Sequence, residues 1–370
     1  MRIFFIIPSL SCGGAERVTA NLANYWAAKG WEITISTFAH RHLDFYELHP
    51  SIIRIELNLA GLSGNILANL LKNLRRVRVL RHFLRQARPD FAISMMSGPN
   101  VLLALSAWGI PKVCVLGSER TFPPQVPLGN FRETLRRYTY GQLAAVVALT
   151  HESAGWLKAH TNARRVPVIP NAVSWPMSEQ HPRIDPAAVC SPERKLLLAM
   201  GRLSHEKNCG VLLAAYSRLA RNHPCWDLIF IGEGPERTPL EGKVQAAGLE
   251  GRVFLPGQVG NPGAWYERAD IYAMTSRFEG FPNSLAEAMA YGLPAVSFDC
   301  DTGPREIIRH EVDGLLVPPG DTDALTAALG RLMDDEHLRR QYADRAIEAR
   351  ERFSVERIAG LWEKLFTEVK

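Results

Sequence analysis

Two glutamates in the stretch FEGFPNSLAEAMAYGLP (278–294) stand eight positions apart. Glu279 precedes Gly280 in a run with the composition of a loop, and Glu287 lies inside a run that reads as a helix. Carboxylates so placed can act as an acid/base pair, hold the hydroxyls of a ligand, or do no chemistry and serve the end of the helix. Ser284-Leu285-Ala286-Glu287 fits S-x-x-E, the capping box in which the serine caps the helix and the glutamate reaches back to its backbone N–H. Glu279 has no such local use, and loop positions on an α/β scaffold often carry function. The backbone N–H groups near 281–285 form an anion-favouring helix start. Whether Glu287 serves the cap or a ligand stays open on these residues alone.

Three other stretches carry chemistry. MGRLSHEKN (200–208) follows a strand and sets Arg202 and Lys207 on a loop before a helix, where two cations suit a diphosphate. Solvated surface charges are the competing reading. SLSCGGAER (9–17) places Gly13 and Gly14 where an anion could approach a helix N-terminus, or where a tight turn needs nothing more. GxGxxG is absent from this turn, which weighs against a standard dinucleotide site. Asp299-Cys300-Asp301 spells DxD, a pattern of metal-dependent sugar transferases, but acidic residues are common after strands and the expected metal content is none. LLKNLRRVRVLRHFLRQARPD carries Arg75, Arg76 and Arg81 among seven cations, over Leu70, Leu71, Leu74, Leu80 and Leu84 at helical spacing. It reads either as a helix lying on an anionic membrane or as a covering helix with a solvated basic face.

The elements that must position these residues alternate along the chain. RIFFIIP, ITISTF, FAISMM, KVCVLG, AAVVALT and VPVIPN read as strands, most of them separated by helices, and LLLAMG, WDLIFIG, RVFLPG, ADIYAMT and PAVSFDC continue the series. Buried strands alternating with helices predict α/β domains with parallel sheets covered on both faces. The chain reads as a domain over 1–172, a polar proline-bearing linker over 173–194, a second domain over 195–351 and a terminal amphipathic helix over 352–370. Two such halves suit a ligand in a cleft between them.

Composition sets the outer limits. The chain has 370 residues, 46% hydrophobic and 22% charged, ordinary for a globular protein of about two domains. Its net charge of +5 conceals 20 Lys+Arg against 9 Asp+Glu in residues 1–170, and 23 against 29 thereafter. The first half should therefore meet something anionic. Nucleic acid is not expected, because the arginine-rich run interleaves only one aromatic residue, Phe83. Six scattered cysteines exclude a CxxC zinc pattern and favour reduced thiols in the cytosol. The start MRIFFIIPSLSCGGAER has too short an apolar core for a signal peptide, and no apolar run is long enough to span a membrane.

Taken together, GGAER, IPN (169–171), GRLSHEKN, IGEGPER (231–237) and EGFPNSLAE (279–287) resemble the retaining, nucleotide-sugar-dependent glycosyltransferases of the GT-B fold, family 4, over nearly the whole chain. The resemblance implies two Rossmann-like doubly wound domains facing a central cleft. It also implies a donor held mainly by the second domain, a final helix crossing back to the first, and a metal-independent reaction without a cofactor. Arg202 and Lys207 resemble the contacts to the donor diphosphate, Glu279 the carboxylate that holds hydroxyls of the transferred sugar, and Glu287 the ligand of the nucleotide ribose. Backbone groups of Gly280, Phe281, Pro282, Asn283, Ser284 and Leu285 would meet the diphosphate. Gly14 would face it from the first domain, Gly13 beside it would lie toward the acceptor, and Gln258 and Val259 would frame the base. Arg120 stands where many members have a histidine, and a guanidinium cannot serve as a base but can bind an acceptor phosphate or the donor sugar.

The chain is similar overall to bacterial transferases that lengthen polyprenyl-diphosphate-linked glycans with N-acetylgalactosamine or galactose, and the resemblance implies a UDP-sugar donor. That implies a cytoplasmic protein peripheral on the inner face of the membrane, with Arg75, Arg76 and Arg81 on its anionic surface. A lipopolysaccharide-core acceptor and a sugar-nucleotide epimerase of the same architecture are the alternatives.

Overall fold

The computed structural model describes residues 1–61 and 66–370, and the chain divides into two compact units, Met1–Ala172 with Val355–Lys370, and Val173–Ser354.

In the first unit six parallel strands, β1 (Arg2–Ile7), β2 (Glu32–Thr37), β3 (Ile53–Glu56), β4 (Phe91–Met95), β5 (Cys114–Ser118) and β6 (Ala145–Val147), run in the order β3-β2-β1-β4-β5-β6. Alternation along β1 divides the core. Ile3, Phe5 and Ile7 face a cluster with Trp26, Trp362 and Phe366, while Phe4 and Ile6 face Leu80, Leu84 and Leu103 on the other side. A strand buried on both faces must be apolar throughout, hence RIFFII. Helices α1 (Gly14–Ala28), α2 (Ile66–Ala87), α3 (Ser97–Ala107) and α4 (Asn130–Thr139) follow the strands. The terminal helix Val355–Val369 closes one face: Phe366 stacks on Phe91 at 4.4 Å between centroids, and Trp26 Nε1 donates to Glu363 Oε1 at 3.0 Å.

Two strand assignments need correction in this unit. β3 was missed because it is a sheet edge with no fully buried residue, so it lacks an apolar run. VPVIPN is extended but makes one isolated bridge, Val168 to Ala148, since Pro167 and Pro170 have no N–H to give a ladder. The leucine stripe of α2 splits along the helix. Leu80 and Leu84 are in the core, whereas Leu70, Leu71 and Leu74 are 50%, 59% and 44% exposed.

The second unit repeats the topology. Its strands β7 (Lys195–Met200), β8 (Trp226–Ile231), β9 (Val253–Gly257), β10 (Ile271–Met274), β11 (Ala295–Phe298) and β12 (Gly314–Val317) lie in the order β12-β11-β10-β7-β8-β9, all parallel. Read from the other edge, this is the first sheet's order. In each sheet the winding reverses once, between β1 and β4 and between β7 and β10, and ligands of such sheets sit at the carboxyl ends of those strands. Residues 173–194 fold with this unit. Asn261 brackets the backbone of Ile184 with bonds of 3.0 Å to its N–H and its carbonyl, and Gln180 N–H donates to Gly260 O at 2.7 Å. Among the described residues no helix is long and apolar enough to cross a membrane.

Candidate functional site

The loop 201–208 leaves β7 and the loop 275–282 leaves β10, so the point where the second sheet reverses brings Lys207 and Glu279 together. Lys207 Nζ lies 2.6 Å from Glu279 Oε1, which also accepts a 2.6 Å bond from Ser276 Oγ. The Thr302 hydroxyl donates to the Glu279 carbonyl and fixes the loop from the β11 side. Further ties run between the loops: Arg277 N–H to Glu206 O at 2.8 Å, Thr275 Oγ1 to Asn208 O at 3.2 Å, and Arg277 Nη2 to Asn208 Oδ1 at 3.1 Å. Asn208 occupies the left-handed region at φ 53°, an uncommon conformation that these bonds hold in place. Burial presses the Lys207 ammonium down, but the neighbouring Glu279 carboxylate outweighs it and the net shift is upward, so the lysine stays charged. Arg202 is exposed, with no hydrogen bond or ion pair to the chain among the described residues.

A second layer of backbone supports this loop. Gly232 and Gly234 both have positive φ, and a Cβ there would lie 2.0 Å from Gly201 O and 2.2 Å from Leu203 O. The IGEG and MGRL segments therefore pack backbone on backbone, which only glycine allows. Nothing in the sequence of either motif marks one as the floor of the other.

The capping box does not form as the pattern suggests. The helix Asn283–Ala290 has Pro282 at its N-cap, so Ser284 sits inside the first turn, and its Oγ lies 2.8 Å from the Tyr272 hydroxyl. Glu287 is 3% exposed and accepts a 3.2 Å bond from the Tyr266 hydroxyl. Pro282, which has no side-chain acceptor, holds the N-cap two residues ahead of the S-x-x-E serine. Tyr266 and Tyr272 hold this wall, and nothing in their spacing marked them. Phe281, Pro282 and Leu285 are buried, Phe281 against Phe353 at 5.5 Å, so this segment offers a ligand its backbone together with half-buried Gly280 and Asn283. After β9, Gln258 is exposed and Val259 half-buried. Asp299 pairs with Arg305 at 2.9 Å, and no group of three metal-ligating side chains occurs among the described residues.

The residues assigned to the first unit fall into different settings. Gly13 is the N-cap of α1, with its carbonyl accepting from the Tyr46 hydroxyl at 3.0 Å, and Gly14 begins the helix. Glu16 folds over this turn: its Oε2 would be 2.3 Å from a Cβ on Gly13, and burial raises its carboxyl. The anion-favouring place read from Gly13 and Gly14 thus carries the chain's own carboxylate. Arg120 is 8% exposed, donates to Asn171 Oδ1, lies 3.0 Å from Met95 Sδ and leaves its buried Nε without a partner. Burial pushes its guanidinium down to about 9, still charged at neutral pH.

The three arginines assigned to a membrane surface do not share one role. Arg75 is exposed, but Arg76 donates to the Leu59 and Gly61 carbonyls, and Arg81 to the Ser106 and Trp108 carbonyls at the end of α3. Arg81 thereby satisfies orphan carbonyls of a helix terminus, which takes its head group away from any external anion.

The family model "Glycosyl transferases group 1" matches residues 182–349 and "Glycosyltransferase Family 4" matches residues 12–174. The chain is 32% identical over 346 residues to a lipopolysaccharide 1,6-galactosyltransferase of Salmonella typhimurium, covering 91% of this chain and 90% of that protein. It is 28% identical over 373 residues to an undecaprenol-linked glycan α-1,4-N-acetyl-D-galactosaminyltransferase of Campylobacter jejuni, covering 100% and 99%. It spans about a third of an exopolysaccharide phosphotransferase of Streptomyces coelicolor, with 32% identity over 322 residues, 84% of this chain and 32% of that protein. In fold it is similar to the crystal structure of Anabaena HepE in complex with UDP-glucose, with a TM-score of 0.79, 18% identity and 100% of each chain covered. Two sheets of one Rossmann order, both family models and a relative matched along nine-tenths of its length lead to one assignment: the chain belongs to the family 4 glycosyltransferases and has the GT-B fold.

Proposed function

We propose that the protein transfers a hexose or N-acetylhexosamine from a UDP-sugar to a polyprenyl-diphosphate-linked glycan, with retention of configuration and without a metal. The observation that carries the reading is the Lys207–Glu279 pair at the carboxyl ends of β7 and β10. Departure of UDP builds negative charge on the diphosphate. Lys207, exposed Arg202 and the start of the helix Asn283–Ala290 answer that charge. Glu279 accepts hydroxyls of the transferred sugar and fixes its anomeric carbon for the acceptor, while buried Glu287, steadied by Tyr266, accepts from the ribose. No step needs a nucleophilic carboxylate, and same-face attack guided by the leaving phosphate gives retention.

The acceptor class is supported by the basic first unit and by the Campylobacter relative, whose name specifies an undecaprenol-diphosphate-linked acceptor. The Salmonella relative favours a second reading, a lipopolysaccharide acceptor. An anionic membrane surface is the proposed docking partner. Exposed Lys72, Arg75 and Arg78 lie on the same helix as exposed Leu70, Leu71 and Leu74, an arrangement suited to the interface of an anionic bilayer.

The test is a screen of UDP-sugars against polyprenyl-diphosphate glycans and lipopolysaccharide core, read by mass spectrometry with and without EDTA. Transfer of one hexose-class residue to the polyprenyl acceptor, unchanged by EDTA, is the expected result. Transfer only to lipopolysaccharide core would establish the second reading. Epimerised UDP-sugar without acceptor, or loss in EDTA restored by manganese, would overturn the first.

A further inference from the structure

We propose that the cavity at the carboxyl end of the first sheet binds the isoprenyl chain of a prenyl diphosphate, with Arg132 on its wall meeting the diphosphate. The proposal rests on the glycosyl-transfer reading above and names the part of the acceptor that this unit grips.

The cavity measures about 330 Å³, at the small end of ligand pockets. It lies where the first sheet reverses, bordered by Pro8 after β1 and Ser97 after β4. Most of the wall is hydrocarbon: Phe38, Pro99, Val101, Leu102 and Leu135. Its few polar groups are largely committed to the chain. Ser97 Oγ donates to Glu119 Oε2 at 2.7 Å, Asn73 Oδ1 accepts from Arg76 Nη1 at 2.9 Å, and Arg76 holds the Leu59 and Gly61 carbonyls. A sugar would leave its hydroxyls poorly matched against such a wall, at the cost of unpaired polar groups. A hydrocarbon would gain by leaving water.

Arg132 is the exception. It is exposed and has no hydrogen bond or ion pair among the described residues. It stands three residues before Leu135 on α4, so a free guanidinium and an apolar side chain share one helix face, about 5–6 Å apart between Cβ atoms. The ligand must carry its anion directly against its hydrocarbon. A prenyl diphosphate does so, whereas a glycerophospholipid interposes glycerol and ester groups between phosphate and chain. A guanidinium suits the diphosphate oxygens. Beyond the cavity, α2 and α4 carry further exposed apolar residues, Leu70 at 50% and Phe131 at 71%, which offer a longer chain a continuing surface.

Equilibrium dialysis of the full chain against radiolabelled farnesyl diphosphate and inorganic diphosphate tests this. Farnesyl diphosphate should bind about 100-fold tighter than inorganic diphosphate. A Cβ on Gly98 meets nothing within 4 Å, so Gly98→Phe can fill the cavity without a backbone clash. That variant should weaken farnesyl diphosphate about tenfold or more, leaving inorganic diphosphate and the melting temperature unchanged. Arg132→Gln should weaken both ligands about tenfold. Dihexanoylphosphatidylglycerol below its micellar concentration should fail to displace the label. Equal binding of the two diphosphates, indifference to Gly98→Phe, or displacement by the phospholipid would overturn the assignment. UDP binding is measured alongside: a protein that takes UDP but not farnesyl diphosphate defeats this inference and leaves the transfer reading standing. One that takes farnesyl diphosphate but no sugar nucleotide does the reverse.

Discussion

At the carboxyl end of the second sheet, the loops after β7 and β10 hold a lysine and a glutamate 2.6 Å apart beside a cavity of about 20 Å³. At the matching end of the first sheet, the loops after β1 and β4 border about 330 Å³ walled mainly by proline, phenylalanine, valine and leucine. The strand order that creates the two places is the same, so topology alone does not decide what binds. Side-chain chemistry does. One end sets a lysine–glutamate pair beside a small, largely apolar cavity, and the other offers a larger hydrocarbon wall with Arg132, which makes no hydrogen bond or ion pair among the described residues.

The sharpest way to break this contrast is to remove the charge at the second sheet. Glu279→Ala and Lys207→Ala should each lower transfer about 10²–10³-fold, with the far-UV circular dichroism unchanged. Near wild-type turnover in either variant would remove that residue from the site.

A smaller effect is expected from the first unit's buried cation. Arg120 is 8% exposed, makes no ion pair among the described residues and has an orphaned Nε, so its charge is held at a cost. Arg120→Met should raise the stability of the fold by about 1 kcal/mol in denaturant unfolding while lowering transfer. A variant less stable than wild type would show that the bond to Asn171 outweighs the buried charge.

The smallest effect is one of pH. The Lys207 ammonium is raised above its ordinary value of 10.5. Its pairing with Glu279 therefore contributes fully below that value and is lost only as pH rises through the higher folded one. The difference in melting temperature between wild type and Glu279→Gln should stay level from neutral pH to about 10 and shrink above it. A difference that fades near neutrality would contradict the upward shift.

Much of this was legible in the sequence where one residue type had one strong physical use. RIFFII and WDLIFI could only be strands buried on both faces, and the terminal helix showed its apolar stripe at helical spacing. The edge strand β3 was not legible, because it is not buried and shows no apolar run, whereas the edge strands β6 and β9 were. Local patterns also misled when a tertiary partner competed for the same group. Ser284 matched a capping box, yet Pro282 starts the helix and Tyr272 meets the serine hydroxyl. Arg76 and Arg81 looked like surface cations, yet carbonyls distant in sequence claim both guanidinia. Tyr266 carried no signal, and Glu16 was legible only as a member of GGAER, since their roles depend on contacts that only folding makes.

The central claim is that the second sheet's reversal point reads a sugar nucleotide by dividing the work between Lys207 and Glu279. Calorimetric titration of UDP and UDP-sugar into wild type, Lys207→Ala and Glu279→Ala tests it most directly. The account predicts that Lys207→Ala weakens both ligands about 10–100-fold, whereas Glu279→Ala weakens the UDP-sugar and leaves UDP within about threefold of wild type. Unchanged binding of both ligands to both variants would contradict it.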